Sequence, residues 1–504
     1  MRDLSETVGD IASSAAVIFL GTIIGQTFGL FGEILIARSL APEEYGSLSL
    51  AYTVVLLAST VVLFGLHNGV TRLMSASESK HEQRQILYHG NLMTLVLSAI
   101  AGIILFLGRD FLAQRMDQPE LAGLILLFLP ILVVNPLRYI AYGVLRSKNR
   151  SFSAVLSKDI IGKTLPLLIL AGAVVTSRES IGAVIYWIGI PLVMFLASSY
   201  FIRGLYFPSE IIKGTPDIKV TKRLWSFSWP LALSAFVFIL LSHLDIVMIG
   251  YFLQPRFVGY YRSIQPLREA ATFALGSVAF LYMPIATEYF EQNDITELGR
   301  IYTASTKWVM MGTFPVILVL GLFSDDIVRV FLGSSYQPAA PVLSILVFGL
   351  FFRAVVGLNG STVKAIDRTR IELISAVLGL VSNFVLNISL IPRYGIKGAA
   401  VATVVGYIVY NSLEIAGIYR TVGIHPFSLN NVKPLLPPLL LGLGLFILLS
   451  DYQLGLFALL VIGVLLSMFQ ITSLFITASL TKEDEYIFEK IEKKIGINLD
   501  WLVK

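Results

Sequence analysis

Apolar runs long enough to cross a bilayer follow one another from end to end of this chain. A hydrocarbon core about 30 Å thick needs about 20 mostly apolar residues in a helix that rises about 1.5 Å per residue. Fourteen stretches meet that measure: 11–36, 46–71, 87–107, 121–145, 152–175, 181–202, 226–251, 258–287, 305–323, 341–363, 371–391, 397–419, 434–450 and 454–479. Backbone polar groups inside lipid must be satisfied within the segment itself. The pattern therefore predicts an all-α integral membrane protein with about 14 transmembrane helices. Composition agrees: 56% of residues are hydrophobic and 14% charged, against about 25% charged in soluble domains. The polar start MRDLSETVGD precedes a run too long for a signal h-region, so a first span is expected there rather than a cleavable leader. With no cysteine, neither disulfides nor thiolate metal sites arise.

Orientation follows from charge. With the N-terminus in the cytoplasm and loops alternating, the inner side collects 24 Lys and Arg, the outer side 8, and six remain within spans. That bias obeys the positive-inside rule and predicts a multi-pass cell-membrane protein with both termini cytoplasmic. The pI of 9.1 thus reports orientation, not a nucleic-acid partner.

The stretch Ala37–Gly46, ARSLAPEEYG, returns as GYFLQPRFVG at 250–259. At a constant offset of 213, Leu40 meets Leu253, Pro42 meets Pro255 and Gly46 meets Gly259. Proline presets φ and glycine permits the opposite hand, so each copy reads as a structural turn between two helices. Arg146–Arg150 and Lys364–Arg368 form a second echo. Six spans precede the loop 203–225, so both turns face outward and the halves are parallel repeats. The expected organisation is a six-helix bundle over 1–202 and a cytoplasmic linker over 203–225. A second six-helix bundle over 226–420 meets the first around a central cavity, and two additional helices span 434–479. A cytoplasmic amphipathic tail, with Ile487, Ile491 and Ile495 on one face, completes the chain over 481–504.

The turn ARSLAPEEYG resembles that after the first span of oligosaccharide flippases, in the polysaccharide-exporter branch of the multidrug/oligosaccharidyl-lipid/polysaccharide (MOP) exporter superfamily. Gly65–Arg72, Asp245–Gly250 and the stretch from Tyr394 to Thr403 resemble that family's second, seventh and twelfth spans in order and spacing. The resemblance covers essentially the whole chain. It implies a lipid-linked oligosaccharide partner, borne on a polyprenyl (pyro)phosphate within the membrane lipids, and translocation by a monomer.

Ten charged residues stand out within spans, and a charge at a helix centre costs about 2.5–3.5 kcal/mol even on the lenient insertion scale. Six are basic: Arg138, Lys158, Lys163, Arg262, Arg268 and Arg353. They are candidates for binding phosphate and sugar in the cavity. Arg353 heads the list because apolar neighbours flank it near mid-span. Arg138 shares a helical face with Asn135 and Tyr142, and Arg262 shares one with Gln265 and Glu269. Lys158 and Arg262 lie close enough to span ends to snorkel instead. The four acids are Glu33, Asp159, Asp245 and Glu269, candidates for coupling to an H+ or Na+ gradient. A structural role competes at each: Asp159 and Lys163 are spaced as an i,i+4 pair, and Asp245 stands beside His243. Thr22, Gln26, Gly29 and Glu33 form one polar stripe on span one, where Gly21, Gly25 and Gly29 form a small-residue ladder for close packing.

No phosphate loop, metal-binding His cluster or nucleophile elbow occurs, so neither enzyme nor cofactor is expected. Asp325–Asp326 and Glu483–Glu485 read as solvated faces. A membrane enzyme of the same glycan pathway would need a larger extramembrane domain. A cation-coupled multidrug exporter of the same superfamily would favour acidic cavity residues, whereas basic ones lead six to four.

Overall fold

The computed structural model describes residues 4–148, 150–206, 217–481 and 484, with side chains from residue 21 onward except at 230, 231, 233, 234, 273, 274, 277, 280 and 281. The amphipathic tail expected over 481–504 lies outside the described residues apart from Thr481 and Asp484, as does 207–216 of the linker. The described residues are all-helical, and ten of their helical stretches are long and apolar enough to cross a membrane. Each of the fourteen apolar runs falls mainly on helix. One stretch, Thr369–Val422, holds two of them across a break at Gly395 (φ +59°).

Two compact units divide the chain, Met1–Ser263 and Ile264–Lys504. The first contains α1 (Leu4–Ser39), α2 (Pro42–Leu63), α3 (Leu66–Ala76), α4 (Lys80–Arg115), α5 (Leu121–Phe128) and α6 (Ile131–Ser147). It continues through α7 (Ser151–Val155), α8 (Gly162–Val175), α9 (Glu179–Ile202), α10 (Ile218–Phe252) and α11 (Pro255–Ser263). The second contains α12 (Gln265–Ala271), α13 (Phe273–Glu291), α14 (Ile295–Leu322), α15 (Ser324–Phe331) and α16 (Ala340–Val356). After these come α17 (Asn359–Ala365), α18 (Thr369–Val422), α19 (Leu429–Val432), α20 (Leu436–Leu449) and α21 (Leu456–Ile476).

Several spans are interrupted, and each break has a local cause. Between α2 and α3, Phe64 (φ +43°) and Gly65 (φ +68°) adopt the left-handed region, and the Phe64 ring stacks on Trp225 at 4.3 Å. Between α16 and α17, Gly357 (φ +69°) breaks the helix; the freed Val356 carbonyl accepts the Tyr302 hydroxyl at 3.2 Å. A methyl at Gly357 would overlap Thr306. Between α7 and α8 the backbone widens into a π-helix over Leu156–Ile161. Two prolines inside helices show how the membrane constraint is met. Pro136 cannot donate to the Leu132 carbonyl, which instead accepts the buried Ser98 hydroxyl at 2.7 Å. Pro438 likewise orphans the Pro434 carbonyl, which accepts Gln470 Nε2 at 2.9 Å and Ser473 Oγ at 2.6 Å from α21.

Within the first unit, the duplicated turns pack on each other. A methyl placed on Gly46 would overlap the Pro255 carbonyl, and one on Gly259 would overlap the Pro42 carbonyl. The glycine of each copy thus receives the proline carbonyl of the other, and α2 and α11 meet backbone to backbone. The ladder on α1 also finds its partner. Gly21 lies against Val155, Gly25 against the Asp159 backbone and Gly29 against Lys163, so α1 packs closely along α7, the π turn and the start of α8.

On the cytoplasmic side expected from charge, Gln83 joins the end of α6 to the start of the linker: its Oε1 accepts Lys148 Nζ at 2.8 Å and the Tyr206 hydroxyl. Burial pushes the Tyr206 phenol up and, with Lys80 adding repulsion, pulls the Lys148 ammonium down.

In the second unit, Tyr282, Tyr302, Val309, Leu358, Val363 and Ile418 form a buried core beneath the break at Gly357. The helices on either side of Gly395 fold back as a hairpin, with Gly379 against Gly406 and Asn383 Nδ2 donating to Thr403 Oγ1 at 3.5 Å.

Candidate functional site

Glu33 is the centre of the polar cluster in the first unit. It lies one turn beyond Gly29 on the packed face of α1. Its carboxylate accepts Trp187 Nε1 at 3.0 Å and a long bond from Tyr45 at 3.5 Å, and it faces Arg262 Nη2 at 3.5 Å. The side chains of Glu33 and Arg262 keep 18% and 11% of their exposure. Desolvating either charge alone would be expensive, so each is the other's counter-charge. Tyr52 stacks on Trp187 at 5.1 Å and lies within electrostatic reach of Arg262, Glu33 and Arg138. Gly32 is required here, because a methyl would overlap the Tyr186 hydroxyl.

Glu33 is thus held by its partners, not bared to water. Arg262 does not share a helical face with Glu269 as expected. The helix stops at Ser263, ahead of Pro266, and Arg262 turns to Glu33 instead. Arg138 keeps its expected neighbour: Nε donates to Asn135 Oδ1 at 2.7 Å, Nη1 points at Met194 Sδ, and the guanidinium lies 4.3 Å over the Tyr139 ring. Asn135 in turn donates to Ser59 Oγ at 2.7 Å. Asp159, nearly buried, pairs with its neighbour Lys158 at 3.7 Å. Both residues lie on the widened π turn. Lys163 adds a second positive charge near Asp159, and Lys158 lies 5.6 Å over the Tyr142 ring. Asp245 is 3% exposed and accepts the Tyr261 hydroxyl at 2.9 Å.

In the second unit, Arg268 is half-buried in the last turn of α12 and Glu269 is exposed. Arg353 is exposed in the last turn of α16, one turn before the break at Gly357.

Three buried charges escape sequence reasoning. Glu414, 0% exposed on α18, lies beside Gly360, the Tyr410 hydroxyl and the amide pair Asn359–Asn411. No ion pair to it forms among the described residues, and nearby Lys364 is held by Glu372 at 3.0 Å. The i,i+3 spacing of Asn411 and Glu414 was its signal. Lys307 and Asp484 form the other missed pair, 1% and 0% exposed. Asp484 also accepts Trp308 Nε1 at 2.9 Å and Thr481 N at 2.8 Å, and Lys307 donates to the Ser479 carbonyl. Asp484 is thus no solvated face. It ties the chain beyond the last span to the middle of α14.

The polar residues in both units are fixed by packed helices, a scaffold suited to holding charged groups within a bilayer. Known proteins share this architecture. The chain is 25% identical over 414 residues to the Haloferax volcanii protein named "Probable low-salt glycan biosynthesis flippase Agl15", covering 80% of this chain and 83% of that one. It is 22% identical over 367 residues to "Lipopolysaccharide biosynthesis protein WzxC" of Escherichia coli, covering 70% and 69%. Its fold matches a solved structure of the lipid II flippase MurJ in an inward closed conformation, with a TM-score of 0.73 at 18% identity over 91% of this chain and 98% of that one. The sequence pattern of one family, described as "Polysaccharide biosynthesis protein", matches residues 35–341, more than half of the chain. The chain belongs to the polysaccharide biosynthesis protein family.

Proposed function

We propose that this protein is a flippase that carries a polyprenyl-(pyro)phosphate-linked oligosaccharide across the cytoplasmic membrane for glycan biosynthesis. The observation that carries the reading is the family match together with relatives named as flippases over four-fifths of the chain. Fourteen spans with both termini cytoplasmic are supported by the charge bias of the loops. The protein works as a monomer through alternating access of two six-helix bundles, 1–202 and 226–420. Neither a sugar nor a phosphate crosses hydrocarbon unaided, so the pathway must supply water and counter-charge. In this reading Arg138 and Lys158, each over a tyrosine ring, and the exposed Arg353 grip phosphate oxygens, with Lys163 and Arg268 as further cations. Arg262 acts through Glu33, whose charge it balances. Coupling to H+ or Na+ would fall to the acids within the membrane, Glu33, Asp159, Asp245 and Glu269.

Reconstituted vesicles with a labelled lipid-linked oligosaccharide test this reading. Wild-type protein should move label between leaflets, and combined Arg138→Ala, Arg268→Ala and Arg353→Ala should abolish transfer. Equal transfer with and without protein refutes the function, and undiminished transfer by the triple variant refutes the residue assignment. Reporter fusions at Lys213 and after Lys504 should both read as cytoplasmic.

A further inference from the structure

A cavity of about 540 Å³ lies in the second unit, between α15, the turn leading into α16 and the loop that joins α20 to α21. Its size falls in the about 300–1,000 Å³ range of small-molecule sites. The charge bias of the loops puts it on the outer side of the membrane. Its walls are held by specific bonds. Asp326 pairs with Arg329 and accepts Leu454 N at 3.0 Å. Arg329 also donates to Gln453 Oε1 at 3.0 Å and to the Leu454 carbonyl at 3.1 Å. On the opposite wall, Gln337 Nε2 donates to Asp325 Oδ1 at 2.7 Å. Phe446 and Tyr452 stand 41% and 67% exposed at the rim.

We propose that this cavity is a carbohydrate subsite that takes neutral sugar residues of the translocated oligosaccharide as they emerge. This rests on the flippase reading above. The chemistry selects the ligand class. Two carboxylates face one guanidinium, whose charge Asp326 already balances, so a phosphate would be repelled. An apolar tail would strip water from carboxylates and carboxamides without replacing their hydrogen bonds. A sugar suits both halves of the site. Its vicinal hydroxyls donate to carboxylates and exchange bonds with carboxamides, and its C–H face lies on an aromatic ring. Tyr452 could serve as an ordinary interfacial anchor. Here, however, it adjoins Gln453, whose carboxamide Arg329 fixes from a different helix. The site also gives the last two helices a task. Lying outside the duplication, they supply one wall of the cavity through the loop that Asp326 and Arg329 clamp.

The test uses the full chain in vesicles with two probes: lipid-linked oligosaccharide extracted from host membranes, and the same lipid trimmed to one sugar. Tyr452→Ala and Gln337→Ala should each slow transfer of the oligosaccharide about threefold to tenfold while leaving the single-sugar lipid within about twofold of wild type. Tyr452→Phe, which keeps the ring, should behave as wild type. Equal slowing of both probes marks a packing defect and overturns the proposal, as does no slowing of either. If the wild-type protein moves neither probe, the flippase reading fails. Saturation-transfer NMR of the released oligosaccharide on detergent-solubilised protein then decides the sugar site: a saturation signal that Tyr452→Ala abolishes supports it, and absence of any signal with wild type overturns it.

Discussion

Two copies of one turn behave alike at their tips and differently behind them. After Pro42, α2 runs unbroken for 22 residues; after Pro255, α11 stops after nine. At the offset of 213, Pro266 falls at the register of Thr53. Thr53 returns its hydroxyl to the Ser49 carbonyl at 2.7 Å and keeps its backbone N–H, whereas proline has none to give. The acids behind the turns differ in the same spirit. Glu33 meets a cation and two aromatic donors, while Asp245 meets the Tyr261 hydroxyl. The duplication thus preserves the contact between the copies and frees the flanking helices to specialise. One copy keeps a helix of 22 residues, and the other ends beside the arginine that answers Glu33.

The largest effect is expected where the two copies touch. Gly46→Val and Gly259→Val should each destabilise the protein by about 3 kcal/mol or more, since backbone carbonyls cannot move aside as side chains can. Thermal unfolding in detergent should show comparable losses for both. Tolerance at one position alone would mean the two turns are not equivalent. The next effect separates the acids. Glu33→Gln removes the carboxylate that faces Arg262 and should cost about 2 kcal/mol, below the full buried-pair figure because Glu33 keeps some exposure. Asp245→Asn can retain the Tyr261 bond and should cost about 1 kcal/mol. Adding Arg262→Gln to Glu33→Gln should recover part of the loss, and a simple sum of the two single effects would deny the pairing.

A smaller effect concerns the helix break. Pro266→Thr gives the second copy the first copy's residue and should slow amide hydrogen exchange over 264–268, with stability changing by about 1 kcal/mol or less. Unchanged exchange would place the cause of the break elsewhere. The smallest effect is expected of Trp187→Phe, which keeps the ring against Tyr52 but removes the bond to Glu33, for a loss of about 0.5–1 kcal/mol.

Much of the helical layout was legible because membrane solvation writes it into every twenty residues, and the fourteen runs land mainly on helix. The ladder Gly21–Gly25–Gly29 announced close packing, though not its partner at 155–163. What stayed hidden was pairing at a distance. Nothing local to Glu33 points to Arg262, 229 residues on. Helical spacing brings Lys163 near Asp159 but does not show the pair with Lys158, nor the break at Gly357 that leaves Arg353 in the last turn of its helix. Lys307, Glu414 and Asp484 were overlooked because a polar residue near the edge of an apolar run looks solvated until its neighbours are known.

The seam that joins Gly46 and Gly259 to the two proline carbonyls sets the terms on which the repeat can drift in evolution. Backbone atoms form that seam, so most of the turn's side chains do not enter it. Between Pro and Gly the first copy reads Glu-Glu-Tyr and the second Arg-Phe-Val, with reversed charge and nothing in common. In a survey of all single substitutions, positions 46 and 259 should be nearly empty columns, and the exposed Glu43, Glu44 and Arg256 between them wide ones. Ancestry in such a fold persists as a three-letter rhythm of leucine, proline and glycine at fixed spacing, long after the percentage of identical residues has ceased to report it.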